Sequence, residues 1–528
     1  MKYQYPMNKA IKSIILISGL LFYTAAFSQN HYLIFFKDKA GTSFNPYQYF
    51  DAKAIDRRQK SGVSLYDKTD FPLNQTYVGN VTQIADSVRY QLRWFNALEV
   101  WASLDEIKKI EQLLSVRKIL KITPSEKEIA SYKKPYNFEV DSFKNALLSM
   151  QLEVMGGPLF LDRKINGKGI RIAVFDAGFP TVDMNPAFKH LRKNGQIIKT
   201  WDFVCNHERV YGHNEHGLMT LSCIAGIVND RPIGLASGAE FLLARTETWT
   251  EPFSEEVNWL AAVEWADKNG ADIISSSLGY TKNRYFKKDM DGITSLVTRA
   301  GNLAARKGML VVNAIGNDGD NRWRTMGAPA DADSVLTVGG IDPFYNYHID
   351  FSSVGPTHDG RMKPNVSAYA EAIVAGENKL KDVFGTSFST PLIAGFAACA
   401  WQLRHDLTNM ALFHEIEKSG SLYPYYDYAH GFGIPQASYF VKVNQPASKS
   451  SFHFQSDGSS LKVIIDDKID TTKKDNNMFY KLLDEKGRII SYFVIEVKTP
   501  EIAIDFNPET VKSIEAYYHN AYKKYIIK

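Results

Sequence analysis

Three short stretches of this 528-residue chain carry side chains suited to nucleophilic catalysis. Asp176 ends the apolar run IRIAVFD and is followed by Ala177-Gly178, which puts a carboxylate at the carboxyl end of a buried strand. His216-Gly217 opens the apolar helical run LMTLSCIAGIV and so holds an imidazole at a helix start. Ser387 lies in Gly385-Thr386-Ser387-Phe388-Ser389-Thr390-Pro391, ahead of Leu-Ile-Ala-Gly-Phe-Ala-Ala. Singly, the first two have ordinary readings: an Asp at a strand end caps or turns the chain, and a His before a helix is commonly incidental. A serine N-cap accounts for one hydroxyl of the third stretch but not for the whole string. Together a hydroxyl, an imidazole and a carboxylate are the groups that nucleophilic acyl transfer combines.

Such groups must be held by a framework, and residues 146–445 read as one. Short apolar β runs (IRIAVFD, FLLARTE, ADIISSSLG, MLVVNAIGN, SVLTVGG) alternate with helices near 216–228, 254–269 and 293–307 and another beginning at Ser387. Strands apolar on both faces and separated by helices predict an α/β domain, a parallel sheet flanked by helices. In such sheets chemistry sits at the carboxyl ends of the strands. Residues 29–125 read as a small α+β domain, with a capping box at Ser103 and Glu106 ahead of Ile107, Ile110 and Leu114. Residues 126–145 are polar, Lys-rich and Tyr-rich, and read as a linker. From 446 to 528 short strand-like pieces separated by turn residues predict a small all-β domain.

Residues 1–28 have the pattern of a signal peptide. Lys2, Lys9 and Lys12 precede the apolar run Ser13 to Phe27, and the small residues Ala26 and Ser28 suit cleavage before Gln29. An apolar run this short does not comfortably span a bilayer. An exported protein with no membrane span after signal removal is expected, located outside the cell, at its surface or in the periplasm. A hydrophobic fraction of 45% with 23% charged residues excludes disorder and fibrous classes, and a net charge of +4 without a long basic block disfavours nucleic acid. Three cysteines make no disulfide framework, and Cys223 and Cys399 sit in small apolar contexts that read as buried thiols.

The three catalytic stretches resemble the catalytic blocks of the subtilases, the subtilisin-like serine peptidases. The chain order Asp, His, Ser is that family's, not that of chymotrypsin or the α/β-hydrolases. A nucleophile elbow needs G-x-S-x-G, and Ser389 stands two residues after Ser387. ASGAEFLLART, WADKNGADIISSSLGY, APADADSVLTVGGID and FSSVGPTHDGRMKPNVSA resemble further family blocks. The resemblance implies Ser387 as nucleophile, His216 as its base and Asp176 as the group that orients the imidazole. It implies Asn317, in VVNAIGNDG, as the side-chain oxyanion donor, and Ser277, Leu278 and Gly279 as a substrate-binding strand. It further implies polypeptide substrates and no required cofactor. The segments YLIFFKDK and AIDRRQKSGVSLYDKTDFPLN resemble N-terminal regions of exported subtilases, which implies that the chain's own propeptide is a partner and that the product is a zymogen.

Three positions depart from the family pattern: Leu218 for Thr, Ala177 for Ser or Thr, and Asn365 for an acid. A Cys/His site from Cys205, His207, His213 and His216 lacks recognised zinc spacing, so no metal is assigned. Calcium is left open, since no Asp-rich loop of matching pattern is visible. The competing reading is a catalytically silent, exported binding protein that docks through its C-terminal domain. Labelling of Ser387 by a fluorophosphonate separates the two.

Overall fold

A computed structural model of the chain describes residues 30–122, 140–248, 253–282, 284–443, 451–456, 461–466, 469 and 476–527. Residues 1–28, read as a signal peptide, and residues 126–139 of the stretch read as a linker lie outside them. The described residues fall into two units.

Residues 30–45, 66–122 and 253–257 form the first unit. Its antiparallel sheet has the order β2-β3-β1-β4, built from β1 (Asn30–Phe36), β2 (Ser87–Leu92), β3 (Ala97–Ala102) and β4 (Val116–Ile122). Tyr32, Ile34 and Phe36, alternate positions of β1, share a core with Val81, Val100 and Ile110, as the period of a strand requires. Ile110 comes from the helix Leu104–Glu111, and the capping box is formed: the Ser103 N–H donates to the Glu106 carboxylate at 2.7 Å and Ser103 Oγ accepts from the Glu106 N–H at 3.3 Å. The α+β region read over 29–125 is not all in this unit, because residues 46–65 belong to the second.

The second unit is built on a seven-stranded sheet of order β13-β12-β11-β10-β5-β9-β6, parallel at every pairing. Its strands are β5 (Arg171–Asp176), β6 (Ile197–Asp202), β9 (Glu240–Arg245), β10 (Ile273–Ser276), β11 (Leu310–Ala314), β12 (Val335–Ile341) and β13 (Val366–Tyr369). Two hairpins, β7 (Ile227–Val228) with β8 (Arg231–Pro232) and β14 (Glu371–Ala375) with β15 (Leu380–Phe384), lie outside it. Alternate residues of β5 serve the two faces. Ile172 and Val174 join the core formed with Leu221 of the helix His216–Ala225 and Ile393 of the helix Thr386–Leu403. The Phe175 ring meets Trp259, from the helix Ser254–Lys268, edge-on at 5.7 Å. The parallel sheet with helices on both faces is the architecture read from the alternation.

A helix over Val140–Glu153 begins inside the stretch read as linker. Leu147, Leu148 and Leu152 are buried in the sheet's core, with Leu148 and Leu152 four residues apart on one helix face. β6 and β13 were not among the strands read from the sequence. The C-terminal residues form two antiparallel sheets, β16 (Phe452–Ser456), β17 (Leu461–Ile465) and β20 (Glu501–Ile504) against β18 (Asn477–Leu483), β19 (Ile489–Glu496), β21 (Ser513–Tyr518) and β22 (Ala521–Ile526). Phe452, Val463 and Ile502 of one sheet and Met478, Ile514 and Ala516 of the other share a core. This domain is fastened to the sheet domain by Lys481 Nζ donating to the Tyr426 carbonyl oxygen at 2.7 Å and Asn477 Nδ2 donating to the Tyr345 carbonyl oxygen at 2.7 Å. No helix among the described residues is long and apolar enough to cross a membrane. Cys223 and Cys399 are buried free thiols, while Cys205 is exposed.

Candidate active site

The parallel sheet brings the chemistry to one edge. Asp176 is the last residue of β5, Ser277 follows β10, and Asn317 lies three residues beyond β11. His216 and Ser387 enter from two helices packed on the same face. Just ahead of the first of these helices, Asn214 Oδ1 accepts from the His216 N–H at 3.0 Å. Gly217 lets that helix come close to the Asp176 turn: a Cβ at this position would lie 2.3 Å from the Gly178 carbonyl oxygen.

Asp176 Oδ1 accepts from His216 Nδ1 at 2.7 Å and from the Ala177 N–H at 2.7 Å. Its Oδ2 accepts from Thr220 Oγ1 at 2.9 Å. A carboxylate only accepts, so the proton of a neutral His216 sits on Nδ1 and leaves Nε2 with a lone pair. The carboxylate is buried, whereas the His216 side chain is 25% exposed. Burial works against the imidazolium, but the charge and hydrogen bond of Asp176 outweigh it and hold the His216 pKa above the ordinary histidine value.

Ser387 lies in the first turn of Thr386–Leu403, where backbone N–H groups have no partner within the helix. Its Oγ donates to the Ser277 carbonyl oxygen at 3.2 Å, and Ser277 Oγ returns a bond to the Ser387 carbonyl oxygen at 2.9 Å. Ser387 therefore rests against Ser277, not on His216. The next ring along, Phe388, stands 5.6 Å from the imidazole. Asn317 Oδ1 accepts from both the N–H and the hydroxyl of Thr386 at 2.9 Å, which anchors the carbonyl half of the side-chain amide at the start of the Ser387 helix. Its Nδ2 donates to nothing among the described residues, and Asn317 is exposed. Leu278 is positioned by Asn313 Nδ2, which donates to its carbonyl oxygen at 2.9 Å. Gly279 is only partly covered, with no atom nearer than 3.8 Å to where a Cβ would stand.

Two departures from the family pattern have local counterparts. With Ala at 177, the hydroxyl on Asp176 comes from Thr220, one turn along the His216 helix; this residue was missed in the sequence, and its i+4 spacing from His216 was the available signal. At Asn365, Oδ1 accepts from the Thr337 N–H at 2.9 Å and Lys363 Nζ at 3.0 Å, while Nδ2 donates to Glu417 at 2.8 Å. Burial and the neighbouring Arg361 push the Lys363 ammonium down to about 7. Leu218 is buried in the sheet's core. His213 pairs with Asp202 at 3.5 Å, away from Asp176. Asp202, Cys205 and His213 could together present ligand atoms to a cation, but Arg245 already donates to Asp202 at 2.9 Å and to Cys205 Sγ at 3.5 Å. That guanidinium brings the positive charge a metal would bring.

Residues 167–433 match the subtilase family profile, and residues 31–136 match the peptidase S8 propeptide domain of Bacteroidota. Subtilisin DY of Bacillus licheniformis is 30% identical over 247 residues, covering 46% of this chain and 82% of that protein. The serine protease AprX of Bacillus subtilis is 27% identical over 277 residues, covering 46% of this chain and 59% of that protein. The thermostable alkaline protease of Halalkalibacterium halodurans is 27% identical over 305 residues, 56% of this chain and 76% of its own. With the family profile matched over residues 167–433 on this seven-stranded parallel sheet, and the propeptide profile matched ahead of it, the chain belongs to the subtilase family, the peptidase S8 serine endopeptidases.

Proposed function

We propose that the protein is an exported endopeptidase that cuts polypeptides through an acyl-enzyme and is made as a self-processing zymogen. The observation that carries this reading is the 2.7 Å His216 Nδ1 to Asp176 Oδ1 bond, held at the start of a helix that packs beside the Ser387 helix. As a peptide binds, Ser387 Oγ leaves the Ser277 carbonyl and turns to His216. Nε2 takes its proton while Oγ bonds to the scissile carbonyl carbon, and the imidazolium is stabilised by Asp176, which keeps its charge. Oxyanion charge develops beside Asn317 Nδ2 and the N–H groups of the Ser387 helix start. Collapse expels the amine with the proton from Nε2. Water then repeats the sequence on the acyl-enzyme. Ser277, Leu278 and Gly279 pair with the main chain of the substrate by adding a strand.

The chemistry calls for no cofactor. In the zymogen, the N-terminal region inhibits the enzyme until the linker at 126–145 is cut. Export rests on the leader pattern over 1–28. The test is fluorophosphonate labelling of Ser387 together with intact mass of the exported protein. The Ser387→Ala product should remain about 11 kDa heavier than the mature wild type, the mass of a small domain. Normal maturation of Ser387→Ala in a protease-deficient host would remove self-processing from the reading.

A further inference from the structure

Residues 46–65 fall inside the propeptide match yet are built into the catalytic unit. Their helix Ala52–Lys60, from the AIDRRQKSG stretch, carries two adjacent arginines that are both buried. Arg57 and Arg58 each pair with one oxygen of Asp267, itself buried near the end of the helix Ser254–Lys268. Arg57 also donates to the carbonyl oxygens of Ala271 and Lys307. Lys53 pairs with Asp272 at 2.9 Å and Asp51 with Arg171 at 3.3 Å. The Asp51 N–H donates to the Lys268 carbonyl oxygen at 2.8 Å, and Lys60 donates to the His405 carbonyl oxygen.

The seat is shaped as well as charged. A Cβ at Gly270 would lie 2.9 Å from Lys53 Cβ, and one at Gly308 would lie 2.7 Å from Ser61 Oγ. Both glycines also take positive φ. Arg171, Asp272 and Gly308 stand at or just before the starts of β5, β10 and β11, so the seat is at the amino edge of the sheet. The triad is at the other end of the same strands, roughly 17 Å away at the rise of a strand. A peptide held there leaves the cleft open. Losing it would remove both guanidinium partners of Asp267 at once.

We propose that residues 46–65 are a permanent part of the mature enzyme, staying bound at the amino edge as a non-covalent peptide after the surrounding N-terminal region is cut away by hydrolysis. Removal in vivo rests on the zymogen reading above; retention at the seat does not. The test uses the full chain carrying Ser387→Ala, with recognition sequences for one site-specific protease inserted near 45, near 65 and in the linker, so that separation does not depend on self-cleavage. After digestion and gel filtration, native mass spectrometry should find one 46–65 peptide per catalytic chain. Arg57→Met/Arg58→Met should release it. A folded catalytic chain that elutes without the peptide overturns the proposal. Should the double variant fail to fold, hydrogen exchange on the uncut Ser387→Ala chain decides: amides 54–61 should be protected like those of β5, and exchange at the rate of exposed loops overturns it. The matured wild type, analysed alone, reports separately whether the linker is cut at all.

Discussion

The two edges of the parallel sheet use polar side chains in opposite ways. At the carboxyl edge, Asn317 Nδ2 donates to nothing among the described residues, His216 is partly exposed, and Ser387 rests on a carbonyl it can leave. At the amino edge, two arginines share one buried aspartate and further charges interlock around them. Hydrogen-bonding capacity left open is what a transition state can use, whereas capacity filled within the fold contributes to holding it together. Substitutions at the first edge should therefore change rate with little effect on stability, and those at the second should do the reverse.

The largest effect expected is for Ser387→Ala, which should lower turnover by about 10⁶-fold, the scale seen when a triad serine is removed, while thermal unfolding stays near wild type. A large fall in melting temperature would blur the distinction between the edges. Asn317→Leu and Asp267→Ala form a matched pair. The first removes a donor aimed at transition-state charge and should cost on the order of 10²–10³ in kcat with little change in KM. The second leaves two buried guanidiniums without their carboxylate and should cost about 3–5 kcal/mol of stability, read from denaturant unfolding, with kcat of the folded fraction unchanged. Equal losses of both kinds in either variant would break the comparison.

Thr220→Val tests a positioning role at the chemical edge. A hydrogen bond to a charged group contributes about 1.5–3 kcal/mol, so kcat should fall roughly tenfold or more with KM held, and Thr220→Ser should restore most of it. A purely structural role would lower the melting temperature and leave kcat of the folded enzyme intact. The smallest effect is on pH. Because His216 acts when neutral and Asp176 holds its pKa up, the acid limb of kcat/KM should have its midpoint above about 6.5, with the rate rising as pH passes through it. Asp176→Asn removes the charge that favours the imidazolium, so the residual activity should have its limb displaced to lower pH. An unshifted limb would detach Asp176 from His216.

Local sequence determined much of this protein. The period-two and helical patterns, the Ser103 capping box, the Asp, His and Ser segments in order, and the seven C-terminal strand pieces all depend on neighbours within a few residues. β6 and β13 were not legible because IIKTWD mixes polar with apolar residues and VSAY is short. The helix Val140–Glu153 was hidden by its polar first turns. The i+4 spacing of Thr220 from His216 places it on the same helix face, but its bond to Asp176, like that of Glu417 to Asn365, spans 44 or 52 residues and was decided by the fold. The same holds for Arg57 and Arg58. In sequence they are two adjacent basic residues in a polar stretch. Only the packing of their helix against the starts of β5, β10 and β11 turned the pair inward onto Asp267, since burial of a charge is decided by what lies beside it in space.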